Sequence, residues 1–298
     1  MVGEREAGGN GHGGSPRAIL QSDSGLDLAS DFWMHRHFRA MAALYNSLLN
    51  EANLLPGDRV LDLGCGSGTH FEWIAKMVGP EGKITGLESD QRNLGRARER
   101  IANAQYREQV DLVEGKLTAP LPFDDNSFDI VWCAGSLQYV PTPVETIREM
   151  MRVVRPGGRV AVQDVEMTSM LLGPMPDELL MALKSSLPRG FTSGDEHHDY
   201  VDWLVGHKLR SFFVKAGLRE IRGLLRTRVY EPPFTEDERG FLEVAVPYLC
   251  TESPGIQDLA YRQVVELQRL VDPESPAFLL DQPDFIFVEG RALAVGIC

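Results

Sequence analysis

The chain has 298 residues, of which 43% are hydrophobic and 24% are charged, and its formal net charge is −13. This length and composition predict one full-sized folded core and exclude a largely disordered protein. The negative charge disfavours nucleic acid and acidic membrane surfaces as partners, because both repel an acidic protein. A small-molecule ligand is therefore favoured.

The four cysteines (Cys65, Cys133, Cys250 and Cys298) are widely separated. Their spacing matches neither a metal site nor the disulfide framework of a small secreted domain, so reduced thiols are expected. The sequence shows no signal-peptide pattern, and no apolar run approaches the roughly 20 residues that span a bilayer. We expect a soluble, cytoplasmic protein that does not associate with a membrane.

The N-terminal segment, residues 1–25, contains seven glycines and few apolar residues. Such a composition buries too little apolar surface to offset the entropy of ordering, which predicts a disordered tail. Beyond it, Asp27 or Ser30 is a candidate helix N-cap, and apolar residues recur at helical spacing up to Asn50. An amphipathic helix is predicted here, ahead of the first strand.

Strands and helices are then predicted to alternate. The predicted strands are Arg59–Leu63, Lys83–Leu87, Gln109–Val113, Asp129–Cys133 and Arg159–Val165, and the predicted helices are Phe71–Val78, Gln91–Ala104 and Val144–Val154. This alternation is typical of a doubly wound α/β fold with a mostly parallel sheet and helices on both faces.

The regular alternation stops after Glu166, which predicts an inserted lid region after the fifth strand. The elements predicted there are the polar segment Thr192–Asp199, a helix over Tyr200–Ala216, a strand within Leu218–Tyr230, helices over Thr235–Leu249 and Ile256–Val271, and closing strands Asp284–Val288 and Ala292–Ile297.

The first candidate site is a glycine-rich loop, Asp62-Leu63-Gly64-Cys65-Gly66-Ser67-Gly68, between the first strand and the first helix of the sheet. Missing side chains let a ligand approach the backbone, and helix N–H groups face an anion there. An ordinary tight turn would also explain the loop by itself. The end of the next strand adds Glu88, twenty residues after Gly68, where a carboxylate can accept hydrogen bonds from both ribose hydroxyls of a nucleoside.

Two later motifs complete an ordered set: Leu121-Pro122-Phe123-Asp124-Asp125-Asn126-Ser127-Phe128-Asp129 and Arg155-Pro156-Gly157-Gly158. With the glycine loop and Ile84-Thr85-Gly86-Leu87-Glu88, they resemble the class I S-adenosylmethionine-dependent methyltransferases. The resemblance covers about residues 40–165 and is strongest to the ubiquinone/menaquinone-biosynthesis-like (methyltransferase type 11) branch. It implies a Rossmann-like, seven-stranded sheet.

The resemblance also implies where S-adenosylmethionine would bind. The implied contacts are Asp62, Gly64, Cys65, Gly66, Gly68 and Ala134 for the methionine part, Glu88 for the ribose, and Ser89, Lys116 and Leu117 beside the adenine. It further implies a cofactor-binding core over residues 26–165, including the N-terminal covering helix, and a region over residues 166–298 that binds the methyl acceptor and completes the sheet.

The segment Gly115-Lys116-Leu117 departs from the Gly-Asp-Ala that such enzymes usually carry after the third strand. A lysine only donates hydrogen bonds, so Lys116 cannot accept the adenine amino hydrogens as an aspartate would. We therefore expect the backbone of Lys116 and Leu117, rather than the lysine side chain, to border the adenine.

Candidate residues for the acceptor lie on the covering helix and after the fourth strand. His37 and Tyr139 are the candidate catalytic residues, and Trp33 and Gln138 are candidate substrate contacts. A surface or packing histidine is the simpler interpretation of either His35 or His37 alone. A catalytic base is required only if the acceptor must lose a proton, as a phenol, an alcohol or an activated carbon must.

No metal site is predicted, because His197 and His198 lack a third ligand at motif spacing and fit a solvated loop. Arg219, Arg222, Arg226 and Arg228 could face an anionic acceptor, although an exposed charged strand is the simpler interpretation. A homodimer through the apolar C-terminal helices stays open.

The function predicted from the sequence is methyl transfer to an oxygen, nitrogen or carbon of a small biosynthetic molecule or secondary metabolite. Two alternatives stay open: a methyltransferase-like scaffold that catalyses another reaction, such as cyclisation or decarboxylation, and a cofactor-binding protein without turnover. A nicotinamide-dependent dehydrogenase is disfavoured, because the glycine loop lacks the GxGxxG spacing.

Overall fold

The computed structural model of the protein describes residues 30–191 and 200–298. The predicted disordered tail (residues 1–25) and the polar segment Thr192–Asp199, with His197 and His198, lie outside these ranges. Eight helices are described: α1 (Asp31–Glu51), α2 (Phe71–Val78), α3 (Gln91–Ile101), α4 (Pro143–Val153), α5 (Asp177–Ser185), α6 (Leu209–Ala216), α7 (Glu236–Pro247) and α8 (Tyr261–Val271).

Ten strands are described over the same ranges: β1 (Arg59–Leu63), β2 (Lys83–Glu88), β3 (Val110–Glu114), β4 (Phe128–Ala134), β5 (Val154–Val165), β6 (Leu171–Gly173), β7 (Arg189–Phe191), β8 (Tyr200–Asp202), β9 (Arg219–Tyr230) and β10 (Ile286–Ile297). Eight of them form one sheet, whose backbone order is β3-β2-β1-β4-β5-β10-β6 with β9 also paired to β10. A separate two-stranded ribbon joins β7 to β8.

Strands β1 to β5 pair in parallel, whereas β10 runs antiparallel to β5, β6 and β9. Since β9 pairs with β10 from Phe287 to Ile297, it occupies one edge of that strand. The short β6 therefore extends the opposite edge, beyond the end of β5. The carboxyl ends of the parallel strands meet along one edge of the sheet, which is where ligands bind in open α/β folds.

Ser30 caps the N-terminus of α1, and its side chain accepts a hydrogen bond from the backbone N–H of Trp33. Such a cap satisfies one of the free N–H groups of a first helical turn. Met41, Leu48 and Leu49 on this helix are fully buried. The helix packs against α7 and β9, and thus connects the N-terminal part of the chain to its C-terminal part.

The predicted Rossmann-like α/β fold is confirmed, with one more strand in the described main sheet than the seven predicted. The predicted helix Phe71–Val78 matches α2 residue for residue, and the strand expected within Leu218–Tyr230 is β9. The division into a tail, a cofactor-binding core and an acceptor-binding region stays a prediction.

Three predicted elements of the C-terminal region were wrong. Tyr200–Asp202 forms strand β8 instead of starting a helix, because it pairs antiparallel with β7, and the Asp202 side chain then accepts from the N–H of Leu204 in the turn that follows. The helix predicted from Ile256 begins at Tyr261, after a single turn at Ile256–Asp258. The two closing strands are one continuous strand, β10, because its central charges are buried and paired.

Candidate active site

The glycine-rich loop connects β1 to α2 at the carboxyl edge of the sheet. Gly64 and Gly68 have φ values of +77° and +73°, in the left-handed region that favours glycine. A Cβ atom on Gly64 would collide with the Ser136 side chain, and one on Gly68 would lie 2.5 Å from the Phe71 ring. The backbone N–H groups of Gly64 and Cys65 donate to the Leu87 carbonyl at 2.8 Å and 3.0 Å. The loop is thus held against β2.

Glu88 ends β2 beside this loop, and its side chain is buried. Its Oε2 accepts from the N–H of Gly66 at 2.9 Å, and its Oε1 accepts from the N–H groups of Ser89 and Asp90 at 2.8 Å each. Burial raises the pKa of Glu88, and these backbone hydrogen bonds oppose that increase. Each carboxylate oxygen has two lone pairs, so Oε2 can accept a further hydrogen bond from a ligand hydroxyl.

Asp62 lies in β1, directly before the loop, and is 1% exposed. Its Oδ2 has no hydrogen-bond partner among the described residues. Burial, followed by repulsion from the Glu88 carboxylate, raises the pKa of Asp62 to about 8. A buried carboxyl with an unused oxygen fits a site for a cationic donor such as an ammonium group.

The raised pKa of Asp62 predicts how the stability of the ligand-free protein depends on pH. The folded state keeps a proton on Asp62 up to about pH 8, whereas the unfolded chain releases it near the ordinary value of 3.8. The free energy of unfolding should therefore fall as the pH rises from about 4 to about 8.

Denaturant unfolding of the wild type and of Asp62→Asn at pH 5 and pH 8 measures this contribution. The asparagine variant should lose less stability between the two pH values than the wild type. An equal loss in the two proteins would contradict the assignment. Asp164, a second buried acid whose pKa is raised to about 6, is unchanged in the variant and contributes equally to both slopes.

A cavity of about 410 Å³ opens above the loop and extends between α1, the sheet and α7. Twelve of the fourteen predicted site residues line it: Trp33, His37, Gly64, Cys65, Gly66, Glu88, Ser89, Lys116, Leu117, Ala134, Gln138 and Tyr139. The other two, Asp62 and Gly68, lie behind the lining. The fold thus brings the residues suggested for the cofactor and those suggested for the acceptor to one cavity.

His37 belongs to a buried polar cluster that we define as His37, Tyr45, Tyr230, Glu289 and Arg291. Arg291 Nη2 lies 2.9 Å from His37 Nε2 and donates to Glu289 Oε2 at 3.1 Å. The Tyr230 hydroxyl donates to Glu289 Oε1 at 2.8 Å. Arg291 Nε donates to the Tyr45 hydroxyl oxygen at 3.2 Å, and that oxygen lies 3.3 Å from His37 Nδ1.

The charges of this cluster balance one another. Burial alone would raise the pKa of Glu289, but His37 and Arg291 lower it to about 2. Burial lowers the pKa of His37, and the neighbouring Glu289 carboxylate opposes this shift. His37 Nε2 lies 2.9 Å from the donor Arg291 Nη2 and 3.3 Å from the acceptor Glu289 Oε2, and Nδ1 lies 3.3 Å from the Tyr45 hydroxyl. Both ring nitrogens therefore have partners inside the cluster in either tautomer, and neither is free to act as a general base.

Gln138 and Tyr139 lie in the single turn that follows β4. The backbone N–H of Gln138 donates to the buried Asp164 carboxylate at 3.0 Å, and its side chain donates to the Gly135 carbonyl at 3.0 Å. These bonds hold the turn at the cavity wall. His35, in contrast, is exposed on α1 and lies outside the cavity lining.

Several cavity residues were missed in the sequence: Tyr45, Gln163, Phe241, Tyr248, Glu289 and Arg291. The sequence contains one signal for two of these residues: Glu289 and Arg291 are charged, although the residues around them are apolar. In the sequence alone, these two charges indicate a break between two strands. The insertion between β9 and β10, which contains α7, also contributes to the cavity wall, in addition to the region after β5.

The end of the cavity away from the glycine loop is mainly apolar. Its walls include Trp33, Val165, Met167, Trp203, Phe241, Ala245, Tyr248, Leu249 and Phe287. The Trp33 ring stacks on His37 at 5.1 Å between centroids and contacts Phe241 at 5.3 Å, which joins α1 to α7. An apolar, concave site with a few fixed polar groups is the usual form of a small-molecule pocket.

The arginines of β9 have structural partners. Arg222 and Arg226 pair with Glu51 at the end of α1, and Arg228 pairs with Glu238 on α7. The simpler interpretation of an exposed charged strand agrees with these contacts. Within residues 30–191 and 200–298, no group of three His, Cys, Asp or Glu side chains is placed to hold a metal ion. The helices of those ranges are too short or too polar to cross a bilayer.

The chain is similar in sequence to known methyltransferases. A family model described as a methyltransferase domain matches residues 54–213. Demethylmenaquinone methyltransferase of Shouchella clausii is 30% identical over 182 residues, which cover 58% of this chain and 75% of that protein. Methyltransferase GfsG of Streptomyces halstedii is 35% identical over 118 residues, which cover 40% of this chain and 41% of that protein. The match to GfsG thus spans less than half of its length.

Solved structures with the same fold include the YcgJ protein of Bacillus subtilis, with a TM-score of 0.53 at 18% identity, covering 88% of this chain and 98% of that one. Phosphoethanolamine N-methyltransferase 2 of Haemonchus contortus, in complex with S-adenosyl-L-methionine, gives a TM-score of 0.53 at 17% identity, covering 95% of this chain and 60% of that one. At this identity the two structures support the fold alone. With the family model and the Shouchella relative, the chain belongs to the methyltransferase-domain family, among the class I S-adenosylmethionine-dependent methyltransferases of the ubiquinone/menaquinone-like branch.

Proposed function

We propose that this protein transfers the methyl group of S-adenosylmethionine to an oxygen, nitrogen or carbon of an uncharged, largely apolar small molecule. The observation that carries the proposal is the cavity of about 410 Å³, which contains the glycine loop and Glu88 at one end and the apolar walls at the other. One cavity with two chemically different ends can hold a nucleoside cofactor and an acceptor side by side.

The residues at the first end fit S-adenosylmethionine. Glu88 Oε2 retains a lone pair for a ribose hydroxyl, the loop glycines leave the backbone accessible, and Asp62 Oδ2 has no partner in the described part of the chain. We infer that Asp62 attracts the cationic amino group and that Ser89, Lys116 and Leu117 border the adenine. When bound, the cofactor supplies an electrophilic methyl group on a sulfonium.

The second end favours an uncharged acceptor. Arg291 is neutralised by Glu289, and Lys116 lies at the glycine-loop end. Lys116 and Arg291 are the lysine and arginine of the described cavity wall. Neither is placed to pair with an anionic group at the acceptor end. The aromatic side chains of α1 and α7 exclude water from that end. A dry site favours methyl transfer, because the acceptor is held in line with the methyl group and water cannot compete as a nucleophile. Because both ring nitrogens of His37 have partners inside the cluster, we propose that His37 positions the cluster instead of acting as a free base.

Turnover is tested by mass-spectrometric detection of S-adenosylhomocysteine and methylated product. The first acceptor is a short-chain demethylmenaquinol, chosen from the name of the Shouchella relative, followed by neutral phenols and hydroxyketones. We expect product formation that depends on both the acceptor and Glu88. Tight cofactor binding without S-adenosylhomocysteine formation with any acceptor would contradict methyl transfer and favour a binding protein. If the acceptor is converted to another product while S-adenosylmethionine is not consumed, the result would favour the alternative in which a methyltransferase-like scaffold catalyses another reaction.

A further inference from the structure

Gln163 is a buried cavity residue whose polar atoms are unused. It lies on β5 and is 1% exposed, and its side chain lines the cavity. Neither its Nε2 nor its Oε1 has a hydrogen-bond partner among the described residues. A buried amide without partners destabilises a folded protein, so its presence in a ligand cavity calls for a ligand-based explanation.

The sheet places Gln163 in the middle of the cavity. Its register partner on β4 is Ala134, at the cofactor end, and Gly135 N–H donates to its backbone carbonyl at 2.9 Å. Two residues further along β5, Val165 pairs with Arg291 of β10. Gln163 and Arg291 are therefore diagonal neighbours on one sheet face, with Cα atoms roughly 7–8 Å apart. The amide lies between the cofactor end and the polar cluster.

The Tyr45 hydroxyl is a second polar group of the cavity wall. Its oxygen accepts from Arg291 Nε at 3.2 Å and lies 3.3 Å from His37 Nδ1. A hydroxyl has one donor and two acceptor sites, so one hydrogen-bonding site remains for a ligand beyond these two contacts. Burial raises the pKa of Tyr45, which keeps the hydroxyl protonated.

We propose that Gln163, assisted by Tyr45, determines which acceptors the protein recognises: uncharged ring compounds that carry an N–H or O–H group next to a carbonyl oxygen. Gln163 Nε2 donates to the carbonyl oxygen, Gln163 Oε1 accepts from the neighbouring N–H or O–H, and the remaining site of the Tyr45 hydroxyl forms a further hydrogen bond to the same polar group. A hydrocarbon would leave the amide unpaired, and a carboxylate would face the Oε1 lone pairs. The inference rests on the proposed function, because it assigns this end of the cavity to the methyl acceptor.

The first test needs no ligand. Gln163→Met keeps the side-chain length and removes the unpaired amide, so the variant should melt at a higher temperature than the wild type. The matched control is Gln109→Met, because the Gln109 amide donates to the Gly79 and Gly82 carbonyls away from the cavity. The control should melt at a lower temperature. A lower melting temperature for Gln163→Met would show that the amide has a structural partner and would overturn the proposal.

The second test measures recognition with three probes that share one ring system. The probes are 2-naphthamide, methyl 2-naphthoate, which lacks the donor, and 2-naphthoate, which is charged. They are titrated calorimetrically into protein saturated with S-adenosylhomocysteine. Wild type and Gln109→Met should bind the amide about tenfold more tightly than either other probe, and Gln163→Met should bind the amide and the ester equally.

The same preference in Gln163→Met as in the wild type would overturn the role of Gln163. Failure of the amide to bind wild-type protein would overturn the proposed acceptor class. Binding of S-adenosylhomocysteine is titrated first in each sample, so that failure of the cofactor site, and with it of the proposed function, is seen separately.

Discussion

Replacement of Glu88 by alanine is expected to weaken binding of S-adenosylmethionine and S-adenosylhomocysteine about 100-fold. The change removes the carboxylate proposed to bind the ribose and also the acceptor that holds the N–H groups of Gly66, Ser89 and Asp90. Hydrogen bonds to a charged group contribute about 1.5–3 kcal/mol each, and about 2.7 kcal/mol corresponds to a 100-fold change in affinity. Calorimetric titration of the purified variant measures the effect.

Two further variants make this experiment specific. Glu88→Gln keeps one acceptor oxygen and should lie between the wild type and the alanine variant. Glu114→Ala is the matched control, because Glu114 is the register partner of Glu88 at the end of β3 but is exposed. It should bind both ligands as the wild type does. Wild-type affinity in Glu88→Ala, or an equal loss in Glu114→Ala, would count against the proposed ribose site.

Replacement of Arg291 by methionine is expected to lower the free energy of unfolding by about 3–5 kcal/mol. The change leaves the Glu289 carboxylate, whose side chain is 5% exposed, without its cationic partner. It also removes the donors to His37 and Tyr45. An unpaired buried charge destabilises a protein far more than the loss of a solvated ion pair. Denaturant unfolding at pH 7 measures the difference.

The double variant Glu289→Gln/Arg291→Met should recover much of this loss, because the buried negative charge is then removed. Arg269→Met is the control on an exposed pair, since Arg269 pairs with Glu266 on the surface of α8, and we expect no measurable change in stability. If Arg291→Met unfolds like Arg269→Met, the cluster does not contribute as proposed. If the double variant is no more stable than the single variant, the unpaired charge of Glu289 is not the cause.

The glycine loop and Glu88 were predictable because the unit that contains them is local. Strand β1, the loop, α2 and β2 follow one another within residues 59–88, and parallel pairing places the ends of β1 and β2 side by side. Turn residues and apolar periodicity determine the secondary structure of such a unit largely independently of the rest of the chain. The position of Glu88 beside Gly66 therefore follows from spacing.

The polar cluster was not predictable, because its members are far apart in the chain. His37 and Glu289 are separated by 252 positions, and they meet only when α1 lies against the antiparallel strand β10. By itself, the run around Glu289-Gly290-Arg291 indicates an interruption between two strands. In the fold these charges satisfy each other and His37, so the strand continues through them. The same charged residues therefore indicate a strand break when exposed but are compatible with a continuous strand when buried and paired.

The sequence alone therefore determined the sheet around the glycine loop, the loop itself and its strand-end carboxylate, because each depends on neighbours within about 30 positions. Only the tertiary structure decided the opposite, apolar end of the cavity. It brought Gln163 and Arg291 to one sheet face, placed Tyr45 of α1 beside Arg291, and showed that α7 is a helix of residues 166–298 that walls the cavity. Local periodicity specifies which face of an element is buried, but long-range packing specifies which buried polar groups meet.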